Sequence, residues 1–140
     1  MTIKFHPDTG TILICDFHGY IVPEMVKRRP VIVLSPRFRG RGDLCTVVPL
    51  STSAPKKPAP YNCQITLDQP LPPPYNSPTM WVKGDMIATV SFTRLTLPFA
   101  GKDLNGDRVY DIRHISGAEL ATVTRCVLNG LGVTGLTFTP

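Results

Sequence analysis

The chain has 140 residues and a formal net charge of +5, with 15 Lys and Arg against 10 Asp and Glu. This length allows a single domain, 1–140, with a modest core, and the basic balance suits a polyanionic partner. No apolar run approaches the roughly 20 residues that cross a bilayer, and the N-terminus MTIKFHPDTG does not read as a signal peptide. We therefore expect a soluble, cytoplasmic protein without a membrane partner.

Short apolar stretches rich in β-branched residues dominate the first two-thirds of the chain and predict six strands. Gly, Pro and basic loops separate these stretches, and this spacing is typical of a small twisted sheet or barrel. The predicted strands cover about residues 11–17, 31–35, 44–50, 62–67, 79–83 and 86–92.

The segment EMVKRRPVIVLSP, residues 24–36, places three consecutive cations directly before a buried strand. Pro30 restricts Arg29 to an extended backbone, so its guanidinium is expected where a loop meets a rigid element. Fifteen residues without an acid hold six cations, which indicates a phosphate-contacting face, although a solvated loop is the alternative. These cations are Lys27, Arg28, Arg29, Arg37, Arg39 and Arg41.

Two later segments predict connections outside the sheet. Residues 54–78 are rich in proline, and PPP at 72–74 favours a stiff polyproline II surface loop. Asn105-Gly106 is a strong signal for a β-hairpin turn, between residues that could pair.

The closing part of the chain predicts one helix. Ser116 and Glu119 form a capping box, and Gly130 and Gly132 are expected to end the helix. Four apolar residues recur on one face, which we expect to pack on the sheet. They are Leu120, Val123, Val127 and Leu131.

The sequence predicts neither a metal nor a cofactor. Asp103, Asn105 and Asp107 imitate the start of a calcium loop, but Arg108 and His114 occupy the positions that require Gly and Glu. The cysteines form no CxxC pair and are expected to be reduced core thiols. They are Cys15, Cys45, Cys63 and Cys126.

Four segments in order resemble the MazF/PemK family of toxin endoribonucleases from type II toxin–antitoxin modules. These are GTILICDF (10–17), EMVKRRPVIVLSP (24–36), TVVPLSTS (46–53) and WVKGDMIATVSFTRL (81–95). The resemblance covers most of residues 10–53 and 81–97, together with the closing helix. It implies a mainly β fold with α, an SH3-like small barrel of the MazF/PemK/CcdB type with a C-terminal helix.

The resemblance also implies candidates for catalysis. Arg29 occupies the position of the family's catalytic arginine, five residues after the matching Glu24. Its forked donors suit the charge that builds up on phosphorus during RNA cleavage. The family's hydroxyl position falls on Ser51, or on Thr52 if the register slips by one, and a strand-end hydroxyl that caps its own backbone is the alternative.

Lys83 and Asp85 fall where some family members carry a basic residue and an aspartate two positions apart. Strand alternation would place both on one face, as an acid–base pair, a clamp or a surface ion pair. Glu24 could orient Arg29 or accept the 2′-proton, and His18 could reach the same space. The RNA-contacting candidates are Lys27, Arg28, Lys83, Arg37, Arg39 and His18.

The chain departs from the family pattern at two positions. Ala88 stands where many members have an arginine, and Pro23 stands where some members have a histidine. Both differences affect the assignment of the general acid and base, which therefore stays open.

The function that the resemblance implies is sequence-selective, metal-independent cleavage of single-stranded RNA, usually mRNA. The products would carry a 2′,3′-cyclic phosphate and a 5′-hydroxyl. Family members act as homodimers whose interface groove binds RNA or a cognate antitoxin. Two alternatives remain: a noncatalytic binding protein of the same fold, and a gyrase-directed toxin, which the RRP motif and the hydroxyl disfavour.

Overall fold

A computed structural model describes residues 2–133, and within that range it has nine strands, a short 3-10 helix (Phe92–Arg94) and one α-helix, α1 (Gly117–Gly130). The first five strands are β1 (Ile12–Cys15), β2 (Arg29–Val33), β3 (Leu44–Ser51), β4 (Asn62–Thr66) and β5 (Thr79–Lys83). The other four are β6 (Ala88–Ser91), β7 (Leu95–Thr96), β8 (Phe99–Lys102) and β9 (Arg108–Tyr110).

Seven strands form an antiparallel sheet, in which six follow the order β4-β5-β3-β2-β1-β7 and the seventh, β6, also pairs with β3. The long strand β3 organises this sheet, because one of its edges pairs with β2 and the other pairs first with β6 and then with β5. β8 and β9 form a separate two-stranded hairpin. This architecture confirms the predicted mainly β class with a C-terminal helix. Among residues 2–133 the outer strands β4 and β7 do not pair with each other, so the sheet is open and not a closed barrel.

Alternate side chains of each strand point to opposite sides of the sheet. Both sides are buried, because each is covered by another part of the chain. We call the side covered by α1 the helix face and the opposite side the loop face. The helix face contains Ile12, Ile32, Val48 and Leu50, packed with Val123 and Val127 of α1. The loop face contains Leu13, Val31, Val33 and Val47, packed with Phe17 and Met25 from the β1–β2 loop.

The six predicted strands correspond to β1–β6 with small shifts. β2 begins two residues earlier than predicted, so Arg29 and Pro30 belong to the strand itself, opposite Cys15 and Ile14. β6 is shorter than predicted and begins only at Ala88. The two short strands of the β8–β9 hairpin flank the predicted Asn-Gly turn.

The helix begins as its capping residues predict and ends slightly differently. The Ser116 hydroxyl accepts a 3.2 Å hydrogen bond from the backbone N–H of Glu119. Gly130 does not stop the helix but is its last residue, and Gly132 follows with a left-handed φ of 76°. Leu131 was predicted on the buried face, but it lies beyond the helix and is 59% exposed.

The end of α1 packs backbone to backbone on the turn that follows β5. A Cβ atom added to Gly130 would lie 2.6 Å from the carbonyl oxygen of Gly84. A Cβ atom on Gly84 would lie 2.6 Å from the carbonyl oxygen of Tyr61 and 2.7 Å from that of Cys126. Glycine at both positions therefore allows the helix to support the Lys83-Gly84-Asp85 segment directly.

The aspartate-rich turn between β8 and β9 uses its carboxylate for backbone hydrogen bonds. Asp103 Oδ1 accepts from the N–H groups of Asn105 and Asp107, at 2.9 and 3.0 Å. Within the described range, no three His, Cys, Asp or Glu side chains converge as metal ligands.

The four cysteines are free thiols, and Cys15, Cys45 and Cys126 are buried. Burial raises the pKa of the Cys15 thiol from 9.0 to about 12, so this group stays protonated at neutral pH. In residues 2–133, no helix has both the length and the apolar character required to span a membrane.

Candidate nucleic-acid site

Arg29 is a half-buried cation that no described side chain neutralises. Its Nε is buried and has no hydrogen-bond partner among residues 2–133. Burial lowers the pKa of Arg29 from its ordinary value, while the nearby Tyr75 acts in the opposite direction. Because a desolvated charge without a counter-ion is unfavourable, this arrangement suits an anionic ligand.

The cavity around Arg29 has a volume of about 240 Å³, and we call it the arginine pocket. Its polar lining consists of three consecutive cations, two hydroxyl residues and a tyrosine, and none of the described lining residues is acidic. These residues are Lys27, Arg28, Arg29, Thr52, Ser53 and Tyr75. Such a lining matches the charge and hydrogen-bonding needs of a phosphate group.

The two candidate hydroxyls at the end of β3 have different surroundings. Extending the β2–β3 register by two residues leads to Ser51 opposite Arg29, on the loop face. Ser51 is only 4% exposed, and its Oγ donates to the Ser53 carbonyl (3.2 Å) and accepts from the Ser53 N–H (3.1 Å). Thr52 is exposed and lines the arginine pocket. The structure therefore presents the Thr52 hydroxyl to a ligand, while the Ser51 hydroxyl closes a turn.

Tyr75 forms one wall of the arginine pocket, and no sequence pattern predicted this role. Its hydroxyl donates to the backbone carbonyl of Arg28 (3.3 Å), and its N–H donates to the carbonyl of Pro72 (3.1 Å). The proline-rich connection is thus joined to the start of β2. A tyrosine directly after PPP at 72–74 was the available sequence signal, but nothing local indicated its partner.

Glu24 and Asp85 line a different cavity of about 350 Å³, which we call the acidic cleft. Pro23 and Ala88, the two departures from the family pattern, line this cleft as well. Glu24 Oε1 accepts a 2.7 Å hydrogen bond from the N–H of Ile21, so this carboxylate also shapes the β1–β2 loop. The structure therefore brings the two candidate carboxylates together, in a cleft without a histidine or an arginine in its described lining.

Two ion pairs that were among the alternatives from the sequence are not formed within residues 2–133, where Arg113 and Asp111 make the only salt bridge. Glu24 is therefore not bonded to Arg29. Lys83 is the last residue of β5, and Asp85 lies in the turn that the Met86 N–H closes on the Lys83 carbonyl. The prediction that strand alternation places Lys83 and Asp85 on one face is wrong, because the strand ends between them.

The basic residues of 27–41 do not form one face. Lys27, Arg28 and Arg29 lie at the start of β2, whereas the other three lie on the loop at the opposite end of the β2–β3 hairpin. Strand β2, Arg29–Val33, lies between the groups, and its four residue-to-residue steps of roughly 3.3 Å span about 13 Å. The loop group consists of Arg37, Arg39 and Arg41, and it lines its own depression.

His18 is exposed and lines neither the arginine pocket nor the acidic cleft. Arg94 holds its loop by donating to the backbone carbonyls of Asp16 (2.9 Å) and His18 (2.7 Å). The same guanidinium stacks 5.1 Å from the ring centroid of Tyr20, which lines the acidic cleft. Arg94 therefore positions one wall of the cleft, a role for which the sequence carried no signal.

Solved structures of other proteins share this fold, and two examples follow. An endoribonuclease in complex with its cognate antitoxin, from a mycobacterial species, aligns with a TM-score of 0.61 and 20% identity, over 94% of this chain and 100% of that chain. MazF from Deinococcus radiodurans aligns with a TM-score of 0.61 and 21% identity, over 93% of this chain and 100% of its own. At these identities the likeness establishes the fold.

Sequence similarity defines the family. The model of the PemK-like, MazF-like toxins of type II toxin–antitoxin systems matches residues 8–127. The chain belongs to this family, as the four ordered segments predicted. An uncharacterised protein of Haemophilus influenzae is 35% identical over 108 residues, which cover 68% of this chain and 73% of that protein.

Proposed function

We propose that this protein is the toxin of a type II toxin–antitoxin module and acts as a metal-independent, sequence-selective endoribonuclease on single-stranded RNA, in particular mRNA. The observation that carries the proposal is the half-buried Arg29 guanidinium, whose Nε has no partner among residues 2–133. It lies in a pocket with Lys27 and Arg28 and without a described acid. A phosphodiester supplies the missing anion.

The reaction is a transesterification within the RNA. The 2′-oxygen attacks the adjacent phosphorus, the bond from phosphorus to the 5′-oxygen breaks, and the products are a 2′,3′-cyclic phosphate and a 5′-hydroxyl. Arg29 stabilises the negative charge on the nonbridging oxygens, and a preorganised contact of this kind is worth about 3 kcal/mol of barrier. The exposed Thr52 hydroxyl donates a further hydrogen bond to the phosphate.

The two proton transfers are proposed for the carboxylates of the acidic cleft. One proton leaves the 2′-hydroxyl, and one reaches the 5′-oxygen. Glu24 and Asp85 line the same cleft, which is a separate cavity from the arginine pocket, so these roles require the RNA to reach from one cavity into the other. Glu24→Gln or Asp85→Asn should remove the acid limb of the pH–rate profile if that residue is the base. An unchanged profile in both variants would exclude these roles.

The partners follow from the same surface. Lys27 and Arg28 are exposed beside Arg29, so a cognate antitoxin with an acidic segment would neutralise this region and compete with RNA. We propose that the toxin works in the cytoplasm as a homodimer whose groove binds either ligand. Competition between RNA and the antitoxin for one site on a dimer would be visible in size-exclusion and binding experiments.

The decisive experiment compares wild type, Arg29→Ala and the matched control Arg39→Ala on a long labelled RNA in EDTA. We expect discrete fragments with 5′-hydroxyl ends from wild type and Arg39→Ala, and a rate about 10²–10³-fold lower for Arg29→Ala. Cleavage that disappears in EDTA would contradict the metal-independent mechanism.

One observation favours a second candidate, a noncatalytic RNA-binding protein of the same fold. Pro23 and Ala88 leave the acidic cleft without the basic groups that other members carry there. RNA that is bound but not cut, with binding weakened by Arg29→Ala, would support this candidate.

A further inference from the structure

A second cavity lies beside the arginine pocket. It has a volume of about 430 Å³ and shares Arg28, Pro74 and Tyr75 with that pocket. The two cavities are therefore adjacent, with Thr52 lining the first and the β8–β9 hairpin lining the second. A volume of this size is in the usual range for small-ligand sites.

Aromatic rings and a second arginine of the β8–β9 hairpin form the far wall of this cavity. Phe99 is 45% exposed, and its ring meets that of Tyr110 edge to face at 6.1 Å between centroids. The guanidinium of Arg108 lies 5.1 Å from the Phe99 ring centroid. The wall thus combines π faces with a positive charge that is not part of any ion pair within residues 2–133.

Hydrogen bonds hold the proline-rich side of the cavity. At one end, the Tyr75 hydroxyl bonds to the Arg28 carbonyl. At the other end, Arg113 donates to the carbonyls of Gln69 and Pro70, and its ion pair with Asp111 orients it. The cavity is therefore preorganised, because hydrogen bonds anchor its proline-rich wall at two points.

We propose that this second cavity is a nucleobase subsite, which binds a nucleotide of the RNA next to the scissile phosphate and contributes to sequence selectivity. The proposal rests on the proposed function of the arginine pocket. A base stacks on the aromatic wall, and Arg28 and Arg108 contact the flanking phosphates. Stacking on aromatic side chains together with arginine contacts is how proteins bind single-stranded nucleic acid. An acidic peptide would use the cations but leave the aromatic faces without a matching group.

The test measures binding separately from cleavage. The probe is a labelled, random-sequence 2′-fluoro oligonucleotide of about 12 nucleotides, which lacks the attacking hydroxyl. We expect Phe99→Ala to weaken its binding at least about fivefold. Phe38→Ala is the matched control, because Phe38 is 50% exposed and also stacks with an arginine, Arg41, but lies on the β2–β3 loop. It should leave the affinity unchanged.

A second variant protects the test against misfolding, which circular dichroism would detect. Arg108→Gln keeps the ring of Phe99 and changes only an exposed charge. It should lower the slope of the logarithm of affinity against the logarithm of salt concentration by about 1. In cleavage of a natural RNA, sequencing of the cut ends should show that Phe99→Ala relaxes the base preference at one position beside the cut.

The outcomes separate the two proposals. Equal affinity of Phe99→Ala and Phe38→Ala for the probe would overturn the subsite, even if wild type cleaves RNA. Unchanged probe binding together with weaker binding of a polyglutamate peptide would assign the cavity to an acidic protein partner and likewise overturn it. Weaker probe binding by Phe99→Ala, with no cleavage by wild type, would support the subsite and contradict the endoribonuclease.

Discussion

Two groups of cations, close in sequence and similar in composition, have different surroundings in the fold. Lys27, Arg28 and Arg29 line a pocket that is walled by Tyr75 and prolines, and Arg29 there is half-buried. The group at 37–41 lies on an exposed loop, where one arginine stacks on a phenylalanine. Positive charge alone therefore does not define the site. What distinguishes the first group is a half-buried guanidinium whose Nε has no described partner, and electrostatic contacts strengthen where water is excluded.

After Arg29→Ala, the largest effect should come from replacing the fork of Arg29 while its charge is kept. Arg29→Lys should lower kcat for RNA cleavage about 10- to 100-fold, because a lysine cannot make the paired, planar contacts to phosphate oxygens. Single-turnover cleavage measures this. Arg39→Lys is the control and should not change the rate. Equal rates for both variants would mean that the charge of Arg29 is sufficient and that the geometry of its planar fork does not contribute.

The second comparison concerns the hydroxyls beside Arg29. Thr52→Val should lower kcat about tenfold without a change in Tm, because Thr52 is exposed in the pocket. Ser51→Ala should lower the free energy of unfolding by about 1 kcal/mol, because it removes buried turn hydrogen bonds. Urea titration measures the free energy of unfolding of both variants, and cleavage kinetics measure their kcat. Loss of activity confined to Ser51→Ala would reverse the assignment.

A smaller effect should separate the exposed cations of the two groups. Lys27→Gln should reduce the salt slope of RNA affinity by about 1, because it removes a phosphate contact. Arg37→Gln, in the loop group, should leave the slope unchanged. Fluorescence anisotropy at several salt concentrations measures both, and a reduced slope for Arg37→Gln would extend the RNA-contacting surface to the loop.

The smallest effect concerns stability without ligand. Arg29→Met should raise Tm by about 1–2 °C, because it removes a charge that is half-buried and that no described anion neutralises. Thermal unfolding of Arg39→Met should match wild type. A lower Tm for Arg29→Met would show that Arg29 contributes more through packing than it costs through desolvation.

Much of the sheet could be predicted from the sequence. The starts of β3, β4 and β5 agree with prediction, because apolar β-branched stretches bounded by Gly and Pro have few alternatives to a buried strand. Where the structure differs from the prediction, tertiary packing is the cause. Leu131 continues the apolar period of α1, but it lies beyond the end of the helix. The last helical residue, Gly130, packs against Gly84, and the chain then turns at Gly132, which has a left-handed φ.

The site was predictable only in part. Pro30 and the preceding cations identified Arg29. A proline restricts the residue before it to an extended backbone, and this local effect can be predicted from the sequence. The separation of Lys83 from Asp85 was not predictable, because it depends on where β5 stops. Tyr75 had no local signal for its position, because its hydroxyl bonds to Arg28, which is 47 residues away in sequence.

The sequence by itself determined the family, the mainly β class, the closing helix and the position of the arginine at the start of β2. Those properties depend on local order: apolar period, capping residues and short motifs at fixed spacing. Only the tertiary structure decided that two carboxylates share a cleft, that Thr52 rather than Ser51 is open to a ligand, and that the basic stretch is two separate groups. These depend on which segments meet across the sheet, and burial and hydrogen-bond partners exist only once they have met.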